Sequence, residues 1–181
     1  MNVTETNLKG VLILTYDEKY DNRGYKYNNF SKDELAQHGI IFDCVEETMY
    51  CPEKAGTLYG IHFQNNPAPQ SKILYCIKGR GLDYAIDLRK DSPTYLEWTS
   101  VELSEKNHKQ IYIPKGFGHV FLSLEDDTKV VMRIDEYFNH NYSRQIAWDD
   151  EQINIQYPVE NPILAWHDVI APKLFESDLN L

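Results

Sequence analysis

An all-β fold is predicted by short strand-like runs that turn signals separate along most of the chain. Their close spacing leaves little room for the helical crossovers that parallel sheets require. The chain also contains 13 Tyr and 7 Phe among 181 residues, a composition typical of barrels with aromatic-lined interiors. We therefore predict an antiparallel barrel or sandwich that forms one domain over residues 1–181.

The predicted strands lie between Gly-, Pro- and Asp-rich turns, for example Asn65-Asn66-Pro67 and Asp91-Ser92-Pro93. One helix is expected at Ser31–Gln37, because Ser31 can cap its start and Gly39 follows its end. After Asn139 the pattern loosens, and we expect the tail to wrap the barrel and return to its mouth. The predicted strands are Val11–Tyr16, Cys44–Tyr50, Thr57–Gln64, Ser71–Lys78, Gly81–Asp87, Glu97–Leu103, Gln110–Pro114, Val120–Leu124 and Lys129–Asp135.

The charge balance is acidic, with 18 Lys+Arg against 28 Asp+Glu. A nucleic-acid backbone would be repelled, and an anionic small ligand would need a local cluster of cations. No segment is apolar enough for a membrane span, and the start shows no secretory signal, so we expect a cytoplasmic protein. Three cysteines without a CxxC spacing predict neither a disulfide framework nor a cysteine metal site.

Two predicted strands carry ionisable side chains that point to one face. Alternation places His62 on the same face as Gly60 and Gln64, and Gly60 would leave room for a ligand. On the second strand, Asp83 and Asp87 share a face. A simpler interpretation of His62 is a hydrogen-bonded interior histidine. A simpler interpretation of the aspartates is a solvated strand face, and this interpretation stays open for Asp87.

A glycine-punctuated turn brings a second histidine, His119, to the start of a strand at Pro114–Phe121. His62 and His119 lack a third nitrogen or oxygen ligand nearby in the sequence. Two histidines alone form a weak metal site, so we predict that the barrel binds no metal.

Nine short segments form an ordered set along the chain. They are Asp21-Asn22-Arg23-Gly24, Gly60-Ile61-His62-Phe63-Gln64, Gln70-Ser71-Lys72, Leu82-Asp83-Tyr84-Ala85-Ile86-Asp87-Leu88-Arg89, Asp91-Ser92-Pro93-Thr94-Tyr95, Glu102-Leu103-Ser104, Tyr112-Ile113-Pro114-Lys115-Gly116-Phe117-Gly118-His119, Trp148-Asp149-Asp150 and Ala165-Trp166-His167-Asp168. In this order they resemble the dTDP-4-dehydrorhamnose 3,5-epimerase family. The resemblance covers about Gly10 to Pro172, and it depends on the ordered set rather than on any one motif.

The resemblance implies a double-stranded β-helix (a cupin or jelly-roll barrel) with short helices. It implies an epimerase that moves protons beside the C4 ketone of a nucleoside-diphosphate sugar, without a redox cofactor. His62 would be the base, Asp168 its orienting partner with Asp83 close by, and Lys72 would stabilise the enolate. Arg23 would bind the diphosphate across a homodimer interface.

The sequence departs from the family pattern around the expected pocket. Met132 stands where the family has a proton-donating tyrosine, and Tyr59 replaces an arginine. Met132 therefore predicts inversion at C3 with slower exchange at C5, the missing proton coming from water or another tyrosine, Tyr59, Tyr75 or Tyr137. A usual Glu falls near Asn28, and Glu47 and Met49 replace Gln and Asn. The residues expected to surround the substrate are Arg23, Gln64, Tyr59, Glu47, His119, Met132, Tyr137 and Phe138.

Several substrates and functions are compatible with this pocket. The substrate could be a GDP-linked 4-keto heptose or a dTDP-linked 4-keto hexose, in either case for surface-polysaccharide synthesis. A 3,4-ketoisomerase of the same fold is a second possibility, although such chains tend to be shorter. A non-catalytic protein that binds sugar nucleotides is a third.

Overall fold

A computed structural model describes residues 1–181, and most of its regular structure is antiparallel strand. Two short helices, α1 (Lys32–Gln37) and α2 (Trp166–Val169), and a 3-10 turn (Leu174–Glu176) complete it. The strands are β1 (Asn2–Glu5), β2 (Leu12–Thr15), β3 (Lys19–Asp21), β4 (Gly24–Lys26), β5 (Glu46–Tyr50), β6 (Leu58–Gln64), β7 (Lys72–Lys78), β8 (Arg80–Asp87), β9 (Trp98–Ser104), β10 (Gln110–Ile113), β11 (Phe117–Ser123), β12 (Lys129–Ile134) and β13 (Ser143–Ile146).

The strands form two facing sheets and one hairpin. The first sheet has the order β1-β2-β10-β7-β12-β5, and the second has the order β13-β6-β11-β8-β9. Strands β3 and β4 pair only with each other. The predicted all-β barrel is confirmed, because neighbours distant in sequence close two antiparallel sheets over a common interior.

Alternating side chains divide the interior of the barrel from its outside. A core of 14 buried residues from both sheets, including Leu74, Phe121 and Met132, packs between them. A second cluster covers the outer face of the second sheet, where Ile153, Ile155 and Leu174 of the tail pack on it. The tail therefore wraps the barrel, as its loose pattern predicts.

The helix prediction is confirmed at its start. Ser31 caps α1, since its Oγ accepts a hydrogen bond from the Glu34 backbone N–H at 3.3 Å. Gly39 follows the helix with φ of +77°, a left-handed conformation that glycine adopts without strain.

Strands β1, β3, β4 and β13 were not predicted. Each is three or four residues long, and such short runs show little alternation. Strand β11 also begins earlier than predicted, at Phe117 instead of Val120. Gly116 belongs to the preceding turn, whereas Gly118 is part of the strand.

Strand β6 contains an extra residue relative to its partner β11. His62 pairs with His119 and Tyr59 pairs with Phe121, so β6 advances by three residues while β11 advances by two. This bulge lets Tyr59 and His62 both face the barrel interior, although simple alternation would separate them.

The end of the chain returns to this same strand. Ile163 forms an isolated bridge with Thr57, and its carbonyl accepts a hydrogen bond from the Leu58 N–H at 2.9 Å. Helix α2 follows directly and carries Asp168 to the mouth of the barrel. None of the helices is long and apolar enough to cross a membrane.

Candidate active site

A cavity of about 580 Å³ opens between the two sheets at one end of the barrel. Strands of both sheets supply its walls, and the loops after β12 and around α2 form its mouth. Its lining residues are Tyr50, Tyr59, His62, Phe63, Gln64, Gln70, Lys72, His119, Met132, Phe138, His140, Ser143, Gln145 and His167.

His62 and Asp168 form a hydrogen-bonded pair in this cavity. Nε2 of His62 lies 2.7 Å from Oδ1 of Asp168, although the residues are 106 positions apart in the chain. The Asp168 side chain is 2% exposed and that of His62 is 33% exposed. Because a carboxylate can only accept, Nε2 carries a proton and Nδ1 keeps a free lone pair. A neutral imidazole held in this way can act as a base.

Gly60 makes room for the carboxylate that orients His62. A Cβ atom at position 60 would lie 2.8 Å from Asp168 Oδ1 and 3.2 Å from its Cγ. The expectation that Gly60 leaves space for a ligand is therefore wrong, because Asp168 occupies that space. Only glycine at this position allows α2 to bring its carboxylate this close to β6.

Asp83 lies next to a different histidine. Its Oδ2 is 2.9 Å from Nε2 of His119, and both side chains are almost fully buried. Burial raises the pKa of Asp83, against the opposing effects of His119 and Lys72. Burial lowers the pKa of His119, so this imidazole stays neutral and donates to Asp83. The second carboxylate oxygen of Asp83 is buried without a hydrogen-bond partner. Asp83 therefore positions His119 and does not orient His62.

Lys72 provides the cation of the cavity. It lies on the inner face of β7, where burial lowers its pKa to about 8 and Asp83 opposes that shift. Its Nζ is 3.5 Å from the main-chain carbonyl oxygen of His62. At neutral pH most Lys72 side chains stay protonated, so an ammonium group faces the cavity near the strand that carries His62.

Met132 lies on the wall that the first sheet contributes to the cavity, beside Tyr50, a tyrosine that was not predicted there. The Tyr50 hydroxyl is 3.9 Å from Met132 Sδ, and the rings of Tyr50 and Tyr59 are 4.8 Å apart, edge to face. Burial raises the pKa of Tyr50 to about 12. This wall therefore has a phenol even though position 132 has none.

Three expected substrate contacts lie outside the cavity. Arg23, at the tip of the β3–β4 hairpin, is exposed and pairs with Asp21. Glu47 lies on the outer face of β5, where it accepts from Arg133 Nε at 2.7 Å. Tyr137 is 61% exposed.

Two further predictions about acidic and aromatic residues need correction. Tyr75, a suggested proton donor, lies on the outer face of β7, and its hydroxyl accepts from Arg133. Asp87 is fully buried, so a solvated strand face is excluded. Burial opposes ionisation of Asp87, but hydrogen bonds from Arg89, Ser92 and Thr94 outweigh it and lower its pKa to about 2. Asp87 thus fastens the loop after β8.

One group of three potential metal ligands occurs, and it differs from the His62–His119 pair considered above. Ligand atoms of His62, His167 and Asp168 all lie within 4.8 Å of one another. Since His62 and Asp168 already share a direct hydrogen bond, we interpret the group as a base with its orienting carboxylate. The absence of a bound metal stays a prediction.

Several lining residues were missed because no local pattern distinguishes them. Gln145 lies on the unpredicted strand β13, opposite His62 in register, and donates to the His167 carbonyl. Alternation in the predicted strand at Cys44–Tyr50 places Tyr50 on one of its two faces. Only the pairing with β12 shows that this face is the inner one.

The sequence of this chain is similar to that of one known protein family. The profile described as dTDP-4-dehydrorhamnose 3,5-epimerase matches residues 5–176. A dTDP-4-dehydrorhamnose 3,5-epimerase of Shigella flexneri is 34% identical over 179 residues, which cover 98% of each chain.

Solved structures agree with that comparison. A dTDP-4-dehydrorhamnose 3,5-epimerase from Bacillus anthracis with TDP and PPi bound is 36% identical, has a TM-score of 0.93, and covers 96% of this chain and 99% of its own. A dTDP-6-deoxy-D-glucose-3,5-epimerase from Legionella pneumophila in complex with dTDP-4-keto-L-rhamnose is 29% identical, with a TM-score of 0.90. The match covers 97% of this chain and 93% of that one.

Proposed function

The chain belongs to the dTDP-4-dehydrorhamnose 3,5-epimerase family, and we propose that it inverts C3, and more slowly C5, of a dTDP-linked 4-keto hexose. The observation that carries this proposal is the His62–Asp168 pair, which holds an imidazole ready to accept a proton inside a cavity of substrate size. Lys72, which lines the same cavity, supplies the positive charge that an enolate requires.

The reaction follows from the acidity of carbons beside a ketone. His62 Nδ1 takes the proton of C3 while Asp168 stabilises the imidazolium through Nε2–H. The electron pair of the broken C–H bond moves onto the C4 oxygen, and the resulting enolate is stabilised by the Lys72 ammonium. Return of a proton to the other face of C3 completes the inversion. The reaction moves protons only.

The dTDP-linked hexose is favoured over the other possibilities by the names of similar proteins. The Shigella and Bacillus relatives are both dTDP-4-dehydrorhamnose 3,5-epimerases. A GDP-linked 4-keto heptose is the alternative substrate to include in the assay. For either substrate, we propose that the product serves surface-polysaccharide synthesis. A 3,4-ketoisomerase would move the ketone and a binding protein would do no chemistry, so product NMR separates both from an epimerase.

The main test follows protons at C3 and C5 by NMR in deuterated water, with dTDP- and GDP-linked 4-keto sugars. We expect deuterium to enter C3 of the dTDP-linked sugar with inversion, and more slowly C5 because of Met132. His62→Asn should slow exchange by at least roughly two orders of magnitude. Exchange at the unmodified rate in this variant would remove His62 from the reaction.

The active form is, we propose, a homodimer in which Arg23 reaches the partner's cavity. Lys72 is the only lysine or arginine among the residues that line the cavity, which leaves a diphosphate short of cations. Arg23 is exposed on a hairpin with two exposed tyrosines, Tyr20 and Tyr25, away from its own cavity. The outer face of the first sheet also exposes Met49 and Ile77.

Subunit mixing tests this arrangement. Mixing Arg23→Ala chains with His62→Asn chains should restore activity, because one site of each mixed dimer then has an intact His62 and an intact partner arginine. If Arg23 acted within its own chain, no site of the mixture would be complete. Light scattering that shows a fully active monomer at micromolar concentration would contradict the dimer itself.

A further inference from the structure

We propose that Tyr50 is the acid that protonates the enolate at C3, on the face of the sugar opposite His62. This inference deepens the proposed epimerase function and rests on it. Inversion at a carbon beside a ketone needs a base on one face and a proton donor on the other. The identity of the donor can be argued from the way in which the two sheets share the cavity walls.

His62 reaches the cavity from β6 of the second sheet, so a donor on the opposite side must come from the first sheet. The strands of the first sheet present Tyr50, Lys72 and Met132 to the cavity. A methionine thioether has no proton to give. The choice is therefore between a phenol and an ammonium group.

Lys72 lies on the wrong side of the substrate for this step. Its Nζ is 3.5 Å from the main-chain carbonyl oxygen of His62, so the ammonium group reaches across to β6, the strand that carries the base. Asp83 also interacts electrostatically with Lys72 and favours its charged form. An ammonium group in this place stabilises the enolate oxygen while the proton arrives from elsewhere.

The Tyr50 hydroxyl has the properties of an available acid. Its one hydrogen-bond contact is the Met132 sulfur at 3.9 Å, and a thioether is a weak acceptor. Burial raises the pKa of Tyr50 to about 12, so the phenol keeps its proton at any working pH. The proton is therefore present and is not committed to a strong acceptor.

Tyr59 is the other phenol in the cavity, but it shares strand β6 with His62. The bulge between them turns both side chains inward from the same sheet. Tyr50 faces them from β5, the edge strand of the first sheet, with its ring against that of Tyr59. Tyr50 and His62 thus approach the sugar from opposite walls.

The step balances without another reagent. His62 removes a proton from C3, and the electron pair of that bond forms the enolate. The enolate carbon then takes the proton of the Tyr50 hydroxyl, which leaves a phenolate. The imidazolium returns its proton to water, and the phenolate regains one from water.

The test is the ratio of inverted product to deuterium incorporated at C3 of the dTDP-linked 4-keto sugar. Tyr50→Phe keeps the base, so deuterium should still enter C3, but from the His62 side and with retention of configuration. Formation of inverted product should fall roughly 10²-fold or more. Tyr59→Phe is the matched control: its KM can change, but the ratio should stay that of the unmodified protein. Adding Met132→Tyr to Tyr50→Phe should restore inversion by returning a phenol to the same wall.

Three results would overturn the inference. The first is inversion by Tyr50→Phe at the unmodified rate. The second is loss of inversion in Tyr59→Phe but not in Tyr50→Phe. The third is loss of exchange and inversion together in a Tyr50→Phe protein with unchanged thermal stability, which would assign Tyr50 to substrate binding. Absence of exchange by the unmodified protein on every 4-keto sugar would instead refute the proposed function, and this inference with it.

Discussion

Replacing Gly60 with alanine tests whether the position of Asp168 controls the reactivity of His62. The new methyl group would lie 2.8 Å from Asp168 Oδ1, whereas ordinary van der Waals contact begins at 3.4 Å. The carboxylate must therefore withdraw by about 0.6 Å. Gly60 does not have a positive φ, so the backbone tolerates alanine and the effect is one of space alone.

The expected consequence is a longer hydrogen bond between Asp168 and His62, which is now 2.7 Å. Misplacement of a catalytic group by a fraction of an ångström to 1 Å costs roughly 10- to 100-fold in rate. We expect a decrease of that size in deuterium incorporation at C3, measured by NMR. The melting temperature should fall by only a few degrees, since three of the four side chains of α2 are exposed.

A double-mutant cycle makes this prediction specific. In an Asp168→Ala background the nearest remaining Asp168 atom, Cβ, would be 3.6 Å from the new methyl group, an ordinary contact. Gly60→Ala should then have no further effect on exchange. Equal effects of Gly60→Ala in both backgrounds would refute the reasoning, as would full activity of the single variant.

Three further predictions concern the polar groups of the cavity. Asp168→Asn should slow C3 exchange by roughly 10²–10⁴-fold, because the amide no longer enforces the reactive tautomer of His62. An unchanged exchange rate would show that Asp168 does not orient His62. The kcat/KM value should decline as pH rises through about 8, where Lys72 loses its proton. Lys72→Gln should have a lower kcat/KM that does not decline at this pH. A decline at the same pH in the variant would point to another group. His119→Leu removes the one hydrogen-bond donor to buried Asp83, and it should lower the free energy of unfolding, measured in urea, by about 3 kcal/mol. The double replacement Asp83→Leu/His119→Leu should recover part of this loss. A loss under 1 kcal/mol in the single variant would contradict the role of the pair.

The sequence predicts the barrel well because alternation and turns are local signals. The runs at Thr57–Gln64 and Lys129–Asp135 correspond to β6 and β12 within one or two residues. The inward position of His62 follows from the same alternation. The association of Asp168 with His62 comes from family resemblance, since no local pattern links residues 106 positions apart.

The remaining features depend on register and on long-range pairing. The pairing of Tyr50 with Val130 and Thr48 with Met132 turns Tyr50 inward and Glu47 outward, and the sequence of β5 alone does not show which face is inner. The bulge in β6 similarly decides that Tyr59 faces the cavity. The contact between Asp83 and His119 was not predicted, because β8 and β11 are adjacent only in the folded sheet.

The central claim is that His62, oriented by Asp168, moves protons beside the ketone of a dTDP-linked 4-keto sugar. The most direct measurement compares the unmodified protein with His62→Asn by NMR in deuterated water on that substrate. The account predicts deuterium at C3 together with inverted product for the unmodified protein, and a rate at least roughly two orders of magnitude lower for His62→Asn. Equal incorporation by both proteins, or none by the unmodified one, would contradict it.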